Sequence, residues 1–591
     1  MLTSKILRIT ENSLCVSLFL SETLCNAIYL SAMESALPYN STLIQFETKK
    51  IYLHRPNQTS KMLRRALPLS FMLLISCIGI QVDKGPFDIP VSKSALREKE
   101  EYLTELSKFE LSDSVPNILI ILVDDLSKYD ISVYGDYGVQ TPNIQRLANE
   151  GITFTNAFSS SPVCSPSRAG LFTGRYQQRY GFERQPMNRY AHSRMEYFFV
   201  DHFMNVEPMR LVEPMAAVPN DLVADQGIPP EEILLPEILQ SAGYETGICG
   251  KWHLGNDTAF RPNHRGFHYQ FGFYEAFTLY APLNTMGIVE YRHDYFANKH
   301  IWKQKRKGSC AIRVNDEIIN EEEYLTFAIA RKSLEFIRTN REKPFFLVSA
   351  FNAPHTPFQV PREYYDRFSY LDNHNLQVYY GMIAALDDAV GMILNGLSEL
   401  GLDENTLIIF ASDNGGATYT GATENGPLQA GKFSQFEGGI NIPMLFSWKG
   451  NIPGTQVFSQ QVSLLDIFPT ILRAAGINPP AKTEVDGAEL TGLVSDSVLL
   501  HKYLYWRTDY NKAIRSDKWK LIWNTRDRQE WLYDLSVNNF EQKNLAKDYP
   551  DTVNYLKEAY YNWEKQMVEP SWPGVMEFRF MIDSVETWWA I

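Results

Sequence analysis

Four times along the chain a strand-like run, unbroken in apolar residues in three of the four cases, ends abruptly in polar groups. Ile118-Leu119-Ile120-Ile121-Leu122-Val123 stops at Asp124-Asp125, and Tyr244-Glu245-Thr246-Gly247-Ile248 leads into Gly250-Lys251-Trp252-His253. Phe345-Phe346-Leu347-Val348 leads into Asn352-Ala353-Pro354-His355, and Leu407-Ile408-Ile409-Phe410-Ala411 into Ser412-Asp413-Asn414-Gly415-Gly416. Runs without polar alternation predict strands buried on both faces. Between them the period changes to three and four, as in Ile383, Leu386, Val390, Ile393, Leu394 and Leu397, which is the core face of a helix. Thr141-Pro142 opens another helix through Ile144, Leu147 and Ala148 that stops at Gly151. Strands alternating with helices predict an α/β fold, a large mainly parallel sheet covered by helices on both faces. Ligands of such sheets collect at the carboxyl ends of the strands, where all four polar clusters fall.

After about residue 480 the pattern shifts to short aromatic strands, Tyr503 to Trp506, Ala513 to Arg515, Trp519 to Trp523 and Trp531 to Leu535. These predict a smaller C-terminal antiparallel sheet, followed by a helix with Val553, Leu556, Tyr560, Trp563 and Met567 on one face. Its aromatic side chains either stack on sugar or pack against the first domain. Two irregular stretches, Gln185 to Pro230 and Tyr280 to Arg313 with Arg292 and His293, are candidate rims; each selects substrate or is a surface excursion.

At the amino end the apolar stretch Leu14 to Ala32 is interrupted by Glu22, which is costly at the centre of a membrane span. A secretory pattern starts instead at Met62: Arg64 and Arg65, the apolar run Ala66 to Ile75, then Ser76-Cys77. It resembles a bacterial lipoprotein signal, with Cys77 as the lipidated residue and membrane anchor. The expected organisation is 1–61 a non-native extension, 62–77 the signal, 78–115 a tether with a short helix, 116–480 the catalytic domain and 481–591 the C-terminal subdomain. The corresponding location is the periplasm or outer membrane of a bacterium.

With 56 Lys+Arg against 69 Asp+Glu in 591 residues, the formal charge of −13 excludes a generally basic nucleic-acid binder. The cysteines, at 15, 25, 77, 164, 249 and 310, lack the short paired spacing of a zinc site or a disulfide framework. Cys164 stands out by its neighbours, Pro162-Val163-Cys164-Ser165-Pro166-Ser167-Arg168-Ala169-Gly170-Leu171-Phe172-Thr173-Gly174. They predict a helix start with Ser165 as candidate N-cap and Pro166 in the first turn. A thiol there is an activated nucleophile or a small buried hydrophobe. Adjacent Asp124 and Asp125 repel one another unless a cation compensates them or solvent separates them.

The segment Cys-x-Pro-Ser-Arg followed by Leu-x-x-Gly resembles the signature of the formylglycine-dependent sulfatases. Asp124-Asp125, Gly250-Lys251-Trp252-His253, Pro354-His355, Asp413-Asn414-Gly415 and Gly431-Lys432 before Glu437-Gly438-Gly439 stand in the family's order, and the resemblance covers roughly residues 116 to 570. Gln429 and Asn441 depart from it, where many relatives carry arginine. The resemblance implies that a formylglycine-generating maturase oxidises Cys164, whose hydrated aldehyde attacks sulfur with one hydroxyl and expels sulfate with the other. It implies a divalent cation, Ca2+, on Asp124, Asp125, Cys164, Asp413 and Asn414, an all-oxygen set after maturation. Arg168 then stabilises the diol, with Lys251 and His253 beside it and His253 a candidate base. His355 is the candidate acid for the departing alcohol, and Lys432 clamps the sulfate.

The expected function is hydrolysis of sulfate esters on a polysaccharide or its oligosaccharides, with ulvan, carrageenan and glycosaminoglycans all open. The alternatives are a phosphodiesterase or phosphonate hydrolase of the same superfamily, and a catalytically silent glycan-binding lipoprotein.

Overall fold

The computed structural model describes residues 91–112, 114–186, 208–211, 226–292, 301–490, 499–537, 540–572, 574 and 576–591. The lipoprotein-type segment ending at Cys77 lies outside the described residues, as do 187–207, 212–225 and 293–300 of the two candidate rims. Among the described residues no helix is long and apolar enough to cross a membrane.

The four runs form strands β1 (Asn117–Asp124), β2 (Glu245–Lys251), β3 (Phe345–Pro354) and β4 (Thr406–Ser412). They lie side by side in the order β4-β1-β3-β2, all parallel, at the centre of a ten-stranded sheet. Leu122 of β1 is level with Ala350 of β3 and with Ala411 of β4, so the polar clusters that follow these strands emerge on one edge. Every residue of β1 is buried. Its odd positions, Leu119, Ile121 and Val123, join one core layer, and its even positions, Ile118, Ile120 and Leu122, the other. Leaving water contributes about 1.5–3 kcal/mol for each such side chain, which is why the run is central. Helices Leu325–Asn340 and His374–Glu399 cover one face; Cys164–Thr173, Leu235–Ser241 and Ile467–Ala474 cover the other. Antiparallel strands occur towards both ends of this sheet, Met444–Ser447 beside β4 and Arg313–Val314 near the opposite edge.

The aromatic segments form the expected four-stranded antiparallel sheet, Leu504–Thr508, Asn511–Arg515, Trp519–Asn524 and Gln529–Asp534. One face packs Ile514, Leu521 and Trp523 on helix Pro550–Glu564, and the other packs Trp506 and Trp531 against Phe158, Phe436 and Ile440 of the main body. Packing, not sugar stacking, therefore occupies these tryptophans. A three-stranded sheet was not legible: the hairpin Met576–Ile582 and Val585–Ala590 is joined by Met209–Leu211 from within the first candidate rim. In the tether region, helix Lys93–Leu106 is capped by Ser92 and bound to the body through Lys99 Nζ, 2.7 Å from Glu237 Oε1.

Candidate active site

Helix Cys164–Thr173 begins at Cys164 itself, preceded by Val163 in an extended conformation, and is buried throughout. Ser165 is not the cap; its hydroxyl donates to the carbonyl of His253 at 2.5 Å and ties the helix to the turn after β2. Gly170 allows the helix to pack closely, because a Cβ there would lie 2.4 Å from Ser160 Oγ and 2.9 Å from Leu465 Cδ2 and would push both side chains aside.

Around Cys164 the strand ends converge. The Cys164 thiol donates to Asp124 Oδ1 at 3.3 Å, and Lys432 Nζ lies 3.0 Å from Sγ. Lys251 Nζ is 2.6 Å from Asp124 Oδ2, and Lys432 Nζ is 2.7 Å from Asp125 Oδ1. Arg168 donates from Nε to Asp413 Oδ2 at 2.7 Å and from Nη1 to the Lys251 carbonyl at 2.8 Å. His355 Nε2 is 3.6 Å from Asp125 Oδ2, while its Nδ1 meets the Thr356 carbonyl at 2.5 Å. Asn414 Nδ2 donates to Asp125 Oδ1 at 2.7 Å. Each sequence-predicted residue, His253 included, is at least nine-tenths buried.

Such packing sets the protonation states. Burial favours neutral Asp124, but the charges of Lys251, His355 and Arg168 outweigh it and hold the carboxyl far below its usual range. For Asp413, burial and then the charge of Asp124 prevail and push it up to about 6. Burial, reinforced by Asp124, raises the Cys164 thiol, so the unmodified side chain is a poor nucleophile. Burial and Lys432 bring His355 down to about 4; burial with Lys251 and Arg168 keeps His253 neutral. Although burial opposes it, Asp125 keeps Lys432 firmly protonated.

The backbone is strained at the same place. Asp125, His253 and Phe433 have φ of 63°, 65° and 80°, a left-handed conformation that costs a non-glycine residue about 1–3 kcal/mol and clusters at functional sites.

The donor set fits a hard divalent cation. Ligand atoms of Asp124, Asp125, Cys164 and His355 lie within 4.8 Å of one another. Among the described residues, Asp413 Oδ1 and Asn414 Oδ1 are buried without a hydrogen-bond donor, Arg168 Nη2 without a hydrogen-bond acceptor, and both ring nitrogens of His253 without a hydrogen-bond partner. Buried oxygens without donors beside two carboxylates match an ion that takes oxygen ligands.

Sequence reasoning missed the supports. Tyr280 donates to the carbonyls of Asn352 and His355 at 2.5 and 2.8 Å. Tyr379 donates to Asp130 Oδ2 at 2.6 Å beneath the Asp125 turn. Asn425 Nδ2 reaches the carbonyls of Gly416, Ala430 and Gly438 and so fixes the Lys432 loop. None carries a local sequence signal, since each acts across a long separation. Asn441, at one departing position, donates to Glu437 Oε2 at 2.7 Å; at the other, Gln429 Oε1 accepts from Tyr533 at 3.4 Å.

Residues 116–477 match the family model described as Sulfatase, and residues 431–566 match N-sulphoglucosamine sulphohydrolase, C-terminal. The chain is 33% identical over 439 residues to N-acetylgalactosamine-6-sulfatase of Rattus norvegicus, covering 72% of this chain and 76% of that protein. Steryl-sulfatase of Homo sapiens is 29% identical, over 68% of this chain and 74% of its own length. Among solved structures Ps i-CgsB, also solved in complex with k-i-k-neocarrahexaose, superposes with a TM-score of 0.64 at 29% identity, over 78% of this chain and 94% of its own.

Proposed function

The chain belongs to the sulfatase family and is a sulfuric ester hydrolase, and from that premise we propose that it cleaves sulfate esters of a sulfated polysaccharide or its oligosaccharides through Cys164 matured to formylglycine. One observation carries the reading. Cys164 Sγ sits between Lys432 Nζ at 3.0 Å and Asp124 Oδ1 at 3.3 Å, in a buried site ringed by Lys251, Arg168 and two histidines. An anion that is to be attacked at that position meets fixed cations held on buried side chains. The carbohydrate class is supported by a relative named for N-acetylgalactosamine 6-sulfate and by a neighbour solved with a neocarrahexaose.

Asp124, Asp125, Asp413, Asn414 and matured Cys164 would hold Ca2+, which when bound supplies the charge that orients the diol and polarises a sulfate oxygen. Arg168, fixed through Nε and Nη1, keeps Nη2 for a diol oxygen. One diol oxygen passes its proton to Asp413 Oδ1, which has no hydrogen-bond donor among the described residues, and bonds to sulfur as the ester S–O bond breaks, while Lys432 balances the charge on the sulfate oxygens. His355 presents Nε2 because Nδ1 is turned to the Thr356 carbonyl. An anionic ester beside it raises its proton affinity, and it gives its proton to the departing alcohol. His253, neutral and without partners at either nitrogen, takes the proton of the second hydroxyl. The C=O bond re-forms as the C–O bond to sulfate breaks.

This reading makes a formylglycine-generating maturase an obligatory partner. We further propose, on the sequence pattern Met62 to Cys77 alone, that the enzyme works outside the cytoplasm, in the periplasm or on the outer membrane through lipidated Cys77. Peptide mass spectrometry after co-expression with a maturase tests the nucleophile, and desulfation of a panel of defined sulfated oligosaccharides tests the substrate. Unconverted thiol at Cys164, or turnover confined to non-carbohydrate esters, would overturn the respective half. Metabolic labelling with a radioactive fatty acid tests the anchor; label that persists in a Cys77→Ser variant would reject it.

A further inference from the structure

Beside the sulfate-binding cations stands an aromatic cluster that the chemistry above leaves unused. Phe433, the residue after Lys432, stacks on Tyr419 with ring centres 5.1 Å apart and on Phe578 at 4.5 Å; Tyr419 and Phe578 are 4.7 Å apart. Phe433 and Phe578 are buried, and Tyr419 is the partly exposed member. Its placement is fixed from several directions. The Thr418–Thr420 turn follows Asn414 closely in sequence, the Lys432 N–H donates to the Gly416 carbonyl at 2.9 Å, and the Phe433 N–H donates to the Pro162 carbonyl at 2.9 Å. Tyr291 donates to the Thr420 carbonyl at 2.8 Å. Its strand Ile288–Tyr291 pairs with Phe358–Pro361, just beyond His355. Tyr419 is therefore tied both to the loop of the sulfate clamp and to the segment of the candidate acid. Lys432 Nζ is 5.5 Å from the Phe433 ring centre, which fixes the ammonium relative to the stack.

The wall behind this stack comes from two distant pieces of chain. Phe578 of the C-terminal hairpin pairs with Met209 of the first candidate rim, and both pack with Val163, the neighbour of Cys164, and with Phe433. The apolar face of this small sheet is thereby set against the residues flanking the nucleophile and the clamp.

We propose that Tyr419 is the platform on which the sugar ring bearing the reactive sulfate rests, and that the sheet formed by Met209–Leu211 with the C-terminal hairpin makes it a specificity element. The inference rests on the carbohydrate reading above. A pyranose has a face of C–H bonds that an aromatic ring complements, and tyrosine offers flat area at small entropic cost. A platform beside Lys432 would hold the ring while the sulfate reaches the diol.

The test uses the matured full chain and compares Tyr419→Ala, Tyr419→Leu and Tyr419→Phe. The readouts are KM and kcat on the best sulfated saccharide of the panel, and inhibition by inorganic sulfate, which probes the clamp without a sugar. Loss of the flat ring in the Ala and Leu variants is expected to raise KM about tenfold with a smaller effect on kcat. The Phe variant is expected to stay near wild type, and sulfate inhibition to change less than about twofold in all three. Unchanged KM in the Leu variant, or an equal loss of sulfate affinity, would reject the platform. A wild-type enzyme that turns over aryl sulfates but no saccharide would overturn the substrate reading and the platform with it; a normal wild type with indifferent variants would overturn the platform alone.

Discussion

Lys520 Nζ lies 2.8 Å from Glu437 Oε1, with both side chains fully buried, and this contact joins the C-terminal sheet to the loop that carries Lys432. Lys520 also reaches Glu541 Oε1 at 2.8 Å, the Glu437 N–H donates to Glu541 Oε2 at 2.8 Å, and Arg515 Nε stands 3.6 Å from Glu437 Oε1. The C-terminal sheet thus supplies cations that a buried glutamate of the catalytic domain requires. Removing one partner from such a cluster leaves charge uncompensated and typically costs about 3–5 kcal/mol. Lys520→Met is expected to lose stability on that scale in urea unfolding, with Lys520→Arg losing less. A loss below about 1 kcal/mol would show that the cluster does not depend on this ammonium.

The same cluster carries a pH dependence with a definite sign. Burial, only partly offset by Lys520 and deepened by Glu437, raises Glu541 from its ordinary 4.5 to about 7. A folded value above the unfolded one means that the folded state holds the extra proton. The stability contribution is full below about 4.5 and is lost as the pH rises through about 7. Glu541→Gln removes this titration, so its stability relative to wild type is expected to improve between pH 5 and pH 8. Urea unfolding of both proteins across that range reads the effect, and a constant difference would refute it.

Lys432 approaches both Cys164 Sγ and Asp125, so its loss removes a contact to the transition-state anion and also leaves a buried carboxylate short of a partner. Lys432→Ala is expected to lower kcat by about 10²–10³, the scale of losing one preorganised oxyanion donor. Melting curves recorded in parallel check that the folded fraction does not account for it. Turnover within a factor of about three of wild type would remove Lys432 from its assigned role.

How much of this was legible in the chain depends on the range of the forces involved. β1 could be read because six adjacent apolar residues state their burial locally, and Asp124 and Asp125 because they interrupt it. The strand Met209–Leu211 could not be read. Three residues carry no usable period, and their partner strand begins at Met576, beyond the whole catalytic domain. The capping reading of Ser165 failed for a related reason: a hydroxyl next to a helix start usually accepts from the local N–H, but here it donates to the carbonyl of distant His253. Tyr280 and Tyr379 escaped notice because a tyrosine within an apolar pattern reads as core, and only the folded chain reveals the carbonyls and the carboxylate that its hydroxyl serves. Asp124, Asp125, Lys251, His253, His355, Asp413 and Asn414 were legible as a group because each ends or closely follows a strand of the central sheet, and parallel topology brings such ends together; Cys164, Arg168 and Lys432 lie on a helix and a loop outside that sheet and were legible only through their motifs.

The orphaned oxygens make the cation reading testable without turnover. Asp413 Oδ1 and Asn414 Oδ1 are buried and undonated, a condition that costs about 1–3 kcal/mol for each unsatisfied group. An ion binding there satisfies both and stabilises only the folded state, by about 2.7 kcal/mol when its concentration reaches a hundred times its dissociation constant. Chelator-treated protein is therefore expected to melt at lower temperature and to recover on addition of CaCl2. Mg2+ should rescue less, because it demands tighter octahedral geometry and gives up water reluctantly. Asp413→Asn and Asn414→Ala should blunt the calcium response, each measured as the shift from the same variant's chelated melting point, because both also lose buried contacts. Asp413→Asn weakens the charge pairing with Arg168, and Asn414→Ala removes the Nδ2 hydrogen bond to Asp125 Oδ1, so in both the calcium-dependent shift, not the absolute melting point, is the readout. Equal calcium shifts in Asn414→Ala and wild type would exclude Asn414 from the coordination shell, and the absence of any shift in wild type would exclude a calcium site built on this carboxylate cluster.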